Sequence, residues 1–449
     1  MRLNHGIDQD GDPADCFDYH NDGATCPVFT VNGREIILLR TWRAALEGLR
    51  NPYLRDLAAI EPDAAIAGIT RERPGGLLRR SGPDTSIRTA LNPLFAPPAV
   101  ERWRPGLRAL ARRRARELPA EADLIRDFCA PLAGDLACLT AGLQPAEWDR
   151  LNCLGVRANA LVLGGHQDID LARAELHDFC APLVERSRHE DHLLSACVRV
   201  MDEHGMPPGE VVDACTTIYG GYASVLPTLT VIVYETVSRP DVMRLCHREP
   251  RLLHHVIWEH LRRNAHFTFA LPGRCMRDTQ VGKLFIPEGA NVLPVIRAAH
   301  RDPAHDPDPG AFDLGRPHRA ILAFGAGAHV CPGKALTLMF LAEAMVALVG
   351  LPGLRMAART VSWKPGLMPV PGEIPVTTRK DSRMFTTGSN DRAARVAYEY
   401  ATPGSSWDEL AYEEKNRWRN IAFAARVAAG DVKPPDMRGR PGKSDPARR

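Results

Sequence analysis

Phe324-Gly325-Ala326-Gly327-Ala328-His329-Val330-Cys331-Pro332-Gly333-Lys334-Ala335-Leu336 sets one cysteine between a glycine-rich turn and an apolar run from Leu336 to Leu351. The run has helical length and Pro332 suits a first turn, so the Cys331 sulfur is expected at a helix N-terminus. Unpaired backbone N–H groups and the positive end of the helix dipole favour an anion there. The thiolate is the form of cysteine that ligates a metal or attacks an electrophile. Gly325, Gly327 and Gly333 carry no Cβ, which lets the backbone turn sharply and lets a flat body approach it. A buried cysteine in a capping loop is the plainer reading of one such residue, since cysteine is among the most buried types.

Five positions decide between the two readings. Phe324, Gly327, His329, Cys331 and Gly333 fill every fixed position of F-x-x-G-x-[HR]-x-C-x-G, and in this the segment resembles the haem-ligand loop of the cytochrome P450 haem-thiolate monooxygenases. The resemblance implies a mainly α fold with small β-sheets (α+β), a long central helix over the haem and the cysteine loop beneath it. It implies haem b as cofactor, with the Cys331 thiolate as axial iron ligand. Phe324 would shield the sulfur, Gly325 and Gly333 would shape the loop, and His329, Arg88 and Arg274 would hold the propionates. Electrons would come from NAD(P)H through a ferredoxin or flavodoxin, dioxygen would be activated at iron, and a small organic substrate would be oxidised.

Other segments join the pattern. Trp258-Glu259-His260-Leu261-Arg262 supplies E-x-x-R, and residues three apart share a helix face, so Glu259 and Arg262 can pair. The resemblance adds Arg316, from Phe312-Asp313-Leu314-Gly315-Arg316, as third member of a buried structural triad. Arg88 fits the arginine of the family's H-x-x-x-R, while Asp84 stands where histidine is usual; an ionised aspartate cannot donate to a propionate. Arg274, after Phe267-Thr268-Phe269-Ala270, matches the second propionate arginine, with Phe267 to Ala270 at the substrate edge.

A central helix is expected from about Pro208 through Thr236, past Gly220-Gly221-Tyr222-Ala223-Ser224. Family members usually carry [AG]-G-x-[DE]-T-[TS] here, where the acid delivers protons and the hydroxyl holds iron-bound dioxygen. The catalytic positions are therefore Gly221, Ala223 and Ser224, with alanine in place of the acid. Pro227 removes a helix hydrogen bond and should kink or open the helix. Plainer roles are a close helix contact for Gly220 and Gly221, and a hydroxyl bonded to its own preceding turn for Ser224.

Composition narrows the alternatives. A 449-residue chain with 25% charged residues suits a globular protein, and a net charge of +3 implies no general attraction to nucleic acid. Eleven cysteines without C-x-x-C or zinc spacing read as reduced cytoplasmic thiols. The polar N-terminus carries no signal peptide, and no window reads as the ~18 apolar residues of a membrane span. A basic helix over residues 99–118, with Arg102, Arg104, Arg108, Arg112, Arg113, Arg114 and Arg116, is either a solvated face or a dock for an acidic redox partner.

The chain divides into a polar segment (residues 1–26), a haem domain (27–379) and an extension (380–449). The haem domain opens on a hairpin around Asn32-Gly33. Helix follows helix from Asp123 to Arg188, with a lid expected around Leu163-Gly164-Gly165-His166. The extension carries an amphipathic helix at about 406–429, announced by the capping box Ser406-Trp407-Asp408-Glu409, and then a disordered tail. Three functions stay open: a monooxygenase of secondary metabolism; an atypical member with an altered proton relay that uses peroxide, couples or dehydrogenates; and a haem-bound sensor or carrier without turnover.

Overall fold

A computed structural model describes residues 28–31, 34–56, 84–159, 166–264, 270, 273–316, 321–358, 361–364 and 370–378. The expected lid, Phe267 to Phe269, the 1–26 segment and the amphipathic helix of the extension lie outside them.

Strands β1 (Val28–Val31) and β2 (Arg34–Leu39) pair antiparallel with Val31 opposite Arg34, the register of a two-residue hairpin. Helix α1 (Trp42–Arg50) is capped by the Thr41 hydroxyl, and β3 (Leu54–Asp56) follows. Next come α2 (Asp84–Phe95), α3 (Pro97–Val100) and α4 (Arg104–Arg116), with a 3₁₀ turn at Glu101–Trp103. The expected single basic helix is thus two helices and a turn, because Pro97 and Pro105 each suit a first helical turn. Strand β4 (Glu121–Asp123) precedes a π-turn at Ile125–Cys129, then α5 (Ala130–Ala141), α6 (Pro145–Asn159), α7 (His166–Ser187) and α8 (Leu193–Glu203).

The central helix forms as α9 (Pro208–Ala223) and α10 (Val225–Val237), then α11 (Pro240–Arg248) and α12 (Leu253–Arg263). The rest comprises β5 (Gly273–Cys275), β6 (Thr279–Val281), β7 (Leu284–Ile286), β8 (Asn291–Pro294), α13 (Ile296–Ala299), α14 (Lys334–Val349), β9 (Arg355–Met356), β10 (Trp363–Lys364), β11 (Val370–Pro371) and β12 (Pro375–Thr377).

Helices dominate, and the strands form small sheets. The largest has the order β1-β2-β8-β5-β3, with β2 and β8 parallel and the other pairs antiparallel. A second, β4-β12-β9, joins strands from the first third of the chain to strands from its last quarter. The main core lies among the helices, with Phe128, Leu132, Tyr219, Leu229, Phe340 and Leu348 all but inaccessible to solvent. Leu39, Leu54 and Val292 pack with the large sheet. A third cluster, Ala45, Leu49, Ile296, Leu322 and Ala326, ties α1 and α13 to the turn ahead of Cys331.

The basic residues of α4 are in large part used internally. Buried Glu343 of α14 accepts from Arg104 Nη1 at 2.8 Å and Arg108 Nε at 2.9 Å, and Asp135 of α5 accepts from Arg114 Nε at 2.7 Å. Contrary to the sequence expectation, the run Pro208–Val237 is long and apolar enough to cross a membrane by length and composition. Half of its most apolar window is buried within the protein, as in a core helix.

Candidate functional site

The cysteine loop closes on itself. The Cys331 N–H donates to Phe324 O at 2.8 Å and the Gly325 N–H to Leu322 O at 2.8 Å, while Lys334 N donates to Cys331 O at 3.3 Å. Gly325 (φ 72) and Gly327 (φ 74) take the left-handed backbone that glycine allows. A Cβ on Gly327 would stand 2.8 Å from Leu49 O, so this glycine serves the seating of the loop on the end of α1. A Cβ on Gly333 would meet the Cys331 Sγ at an ordinary 3.8 Å.

The sulfur lies half-buried just ahead of α14. Burial pushes the Cys331 thiol above its usual range; the N–H groups of Gly333 and Lys334 and the charges of Arg88 and Lys334 pull the other way. A metal ion bound at the sulfur would favour the thiolate. Among the described residues no three His, Cys, Asp or Glu side chains gather as a metal site. Iron that arrives within haem brings its other ligands with it and asks only one from the protein. This donor set fits the group that the loop motif implies.

Arg88, on α2, is 7% exposed and donates from Nη2 to Val330 O at 2.8 Å, so the structure brings it to the cysteine loop. Arg274, on β5, is half-buried and donates from Nε and Nη2 to Asn291 Oδ1, both at 3.2 Å. The side chains of His329 and Asp84 lie outside the described residues.

Behind the loop the three triad residues meet. Arg262 grips Glu259 through Nε and Nη2, each at 2.8 Å, and both residues are 4% exposed. Arg316 Nε lies 3.5 Å from Glu259 Oε1, and Arg316 also pairs with Asp306 at 3.3 Å. Arg262 further donates to the carbonyls of His300, Pro309 and Ala311. His300 completes the set: Leu322 N donates to its Nε2 at 2.7 Å, and its Nδ1 lies 3.0 Å from Arg262 O. Sequence reading gave His300 no role of its own.

The central helix opens at Ser224. Pro227 lacks the N–H that would bond Ala223 O, and the Ser224 N–H turns to Gly221 O at 3.2 Å. The Ser224 hydroxyl also donates to Gly221 O, at 2.7 Å, the plainer of its two expected roles. A Cβ on Gly220 or Gly221 would meet nothing within 4 Å, so neither is a packing contact. Ala223 is 3% exposed and faces α6: a Cβ built on Gly155 would stand 2.8 Å from the Ala223 Cβ. The position where family members carry an acid is therefore occupied by a tight helix crossing. Sequence reading offered no signal for Gly155, a lone glycine within a helical pattern.

The structure is thus a mainly helical body with small flanking sheets that presents a cysteine just ahead of a helix. Residues 169–349 match the sequence profile described as Cytochrome P450. Mycocyclosin synthase of Mycobacterium tuberculosis is 28% identical over 334 residues, 69% of this chain and 80% of that protein. Nocardicin C N-oxygenase of Nocardia uniformis is 28% identical over 333 residues, 71% of this chain and 81% of that one. Among solved structures, HinD with NMFT and NO superposes with a TM-score of 0.71 at 25% identity, covering 78% of this chain and 92% of that one. P450BioI, solved with an acyl carrier protein bearing hexadec-9Z-enoic acid, gives 0.73 at 16% identity, covering 82% and 98%, a likeness of fold. By these likenesses the chain is similar to the cytochrome P450 family. It is an oxidoreductase of the monooxygenase kind, related to bacterial members of that family.

Proposed function

We propose that this chain is a cytoplasmic haem b monooxygenase that oxidises a small organic substrate, with Cys331 as the axial iron ligand. One observation carries the assignment: a half-buried sulfur just ahead of α14, within reach of the Gly333 and Lys334 N–H groups, in a loop that closes through the Cys331 N–H on Phe324 O. Bound there, a thiolate-ligated haem supplies dioxygen activation, because sulfur donation favours O–O cleavage. The residues supply the rest. Glu259, Arg262 and Arg316 hold the loop from behind, and Arg88, which fixes the Val330 carbonyl, would hold a propionate. Arg274 and His329 are assigned the same propionate role, and Phe324 covers the sulfur. Gly220 and Gly221 leave room beside the helix for substrate.

The central helix favours the atypical variant of this function. Ala223 has no proton to give and no room to be replaced, and Ser224 spends its own proton on Gly221 O. Ser224 Oγ can still accept a hydrogen bond, so the proton relay calls for a donor on the substrate itself or for ordered water. Electrons are assigned to NAD(P)H through a ferredoxin or flavodoxin, and the relatives' substrates suggest secondary metabolites.

The test is spectroscopic. The reduced, carbon monoxide-treated full chain should show thiolate-type absorption, lost in Cys331→Ala; an imidazole-type spectrum rejects the assignment. Paired ligands with and without a hydroxyl or N–H donor should then differ at least tenfold in the concentration that shifts the haem spectrum. Equal responses would reject the substrate-assisted relay, and electron uptake without product would point to a carrier or sensor.

A further inference from the structure

Lys334 stands where electrostatics argues against a cation. It opens α14, and the N-terminus of a helix carries the positive end of the dipole. Two aromatic rings hold it there. Its Nζ lies 5.4 Å from the centroid of the Trp258 ring and 5.9 Å from that of Phe324. The rings are themselves fixed. The Phe324 carbonyl accepts from the Cys331 N–H at 2.8 Å, and Trp258 Nε1 donates to His254 Nε2 at 2.8 Å from a helix turn that also carries Glu259. The backbone of Lys334 meets the same loop through its bond to Cys331 O. The ammonium is thus tethered within the segment that presents the sulfur.

The faces of aromatic rings attract a cation without neutralising it. Arg88 is the other cation acting on Cys331, and the role assigned to it above sets a propionate charge against its own. The charge of Lys334 meets two rings instead. Reduction of ferric iron adds one negative charge to the centre, and a fixed positive charge close by favours the reduced form.

We propose that Lys334 is a positioning residue whose ammonium, held between Trp258 and Phe324, sets the one-electron reduction equilibrium of iron bound at Cys331. The inference rests on the haem-thiolate assignment. No bond is made or broken in this role, and the electron is the one delivered by the redox partner.

The experiment uses the haem-loaded full chain and its Lys334→Gln, Lys334→Arg and Trp258→Leu variants. The reduced carbon monoxide spectrum comes first; if the native chain lacks thiolate-type absorption, the haem-thiolate assignment falls, and this inference with it. With that absorption present, dye-coupled titration reads the reduction equilibrium. Lys334→Gln should move it about tenfold toward the ferric form, 59 mV for a one-electron couple. Lys334→Arg should stay within threefold of native, and Trp258→Leu should move the same way as Lys334→Gln by less. An equilibrium within twofold of native in Lys334→Gln overturns the proposal, as does an equal shift in the glutamine and arginine variants. Should Lys334→Gln fail to retain haem, Trp258→Leu carries the test, because it releases the ammonium at constant charge; an unchanged equilibrium there overturns the proposal.

Discussion

His300 uses both ring nitrogens on backbone groups that belong to different parts of the site, Arg262 O on one side and Leu322 N–H on the other. The two bonds require the neutral ring. Burial, aided by the charge of Arg262, pushes its pKa from the ordinary 6.5 down to about 3. Between those values the unfolded chain binds a proton that the folded chain refuses. Stability is therefore fully present above pH 6.5 and is lost as pH falls toward 3, at up to ~1.4 kcal/mol per pH unit. In His300→Gln, which keeps a donor and an acceptor but does not titrate, the loss between pH 6.5 and 4.5 should shrink by roughly 2 to 3 kcal/mol. Urea denaturation at the two pH values measures it, and identical losses in the two proteins would show that His300 is not the acid-sensitive group. The sequence made Cys331, Glu259, Arg262 and Arg316 legible because each lies within a short fixed spacing. His300 was not, because its role depends on two backbone atoms far from it in the chain.

At the scale of elements, α6 and α9 cross where Gly155 meets Ala223. The long helix, its proline and its opening near Gly221 could be read from composition and from the missing N–H of Pro227. The crossing could not, since nothing local links a glycine in α6 to an alanine in α9. It changes the meaning of the missing acid: an aspartate at 223 would put a carboxylate against backbone, so Ala223→Asp perturbs packing before it can supply a proton. Gly155→Ala should cost about 1 to 3 kcal/mol, the usual penalty for overpacking a tight core contact. Adding Ala223→Gly should recover most of that loss, as expected of two residues that share one contact. Additive losses in a double-mutant cycle, read from denaturant midpoints, would mean that the two helices do not meet at this point.

Across the whole molecule, the fold closes by strands drawn from distant parts of the chain. Strand β12 pairs with β4 on one side and β9 on the other, with Pro375, Val376 and Thr377 opposite Asp123, Ala122 and Glu121. The same seam carries the Ile374 N–H to Asp123 Oδ1 at 2.9 Å and the Leu124 N–H to Ile374 O at 2.9 Å, while Ile374 and Val376 are fully buried. Removing these residues would expose the edge of β4 and open the core beneath it. The compact unit that contains the cysteine loop takes in Ser362–Thr378. Sequence reading places the end of the haem domain at residue 379; the pairing of β12 with β4 and β9, rather than with Trp363-Lys364, was not legible, because its partners lie far off in the chain. A chain ended at Thr378 should therefore fold and retain haem, whereas one ended at Val361 should lose more than nine-tenths of its haem, because two buried apolar side chains and the pairing of β4 go together. Haem content per chain after gel filtration measures both. Equal retention would show that the seam is dispensable; loss in both would place the domain boundary beyond Thr378 and make the extension part of the haem domain.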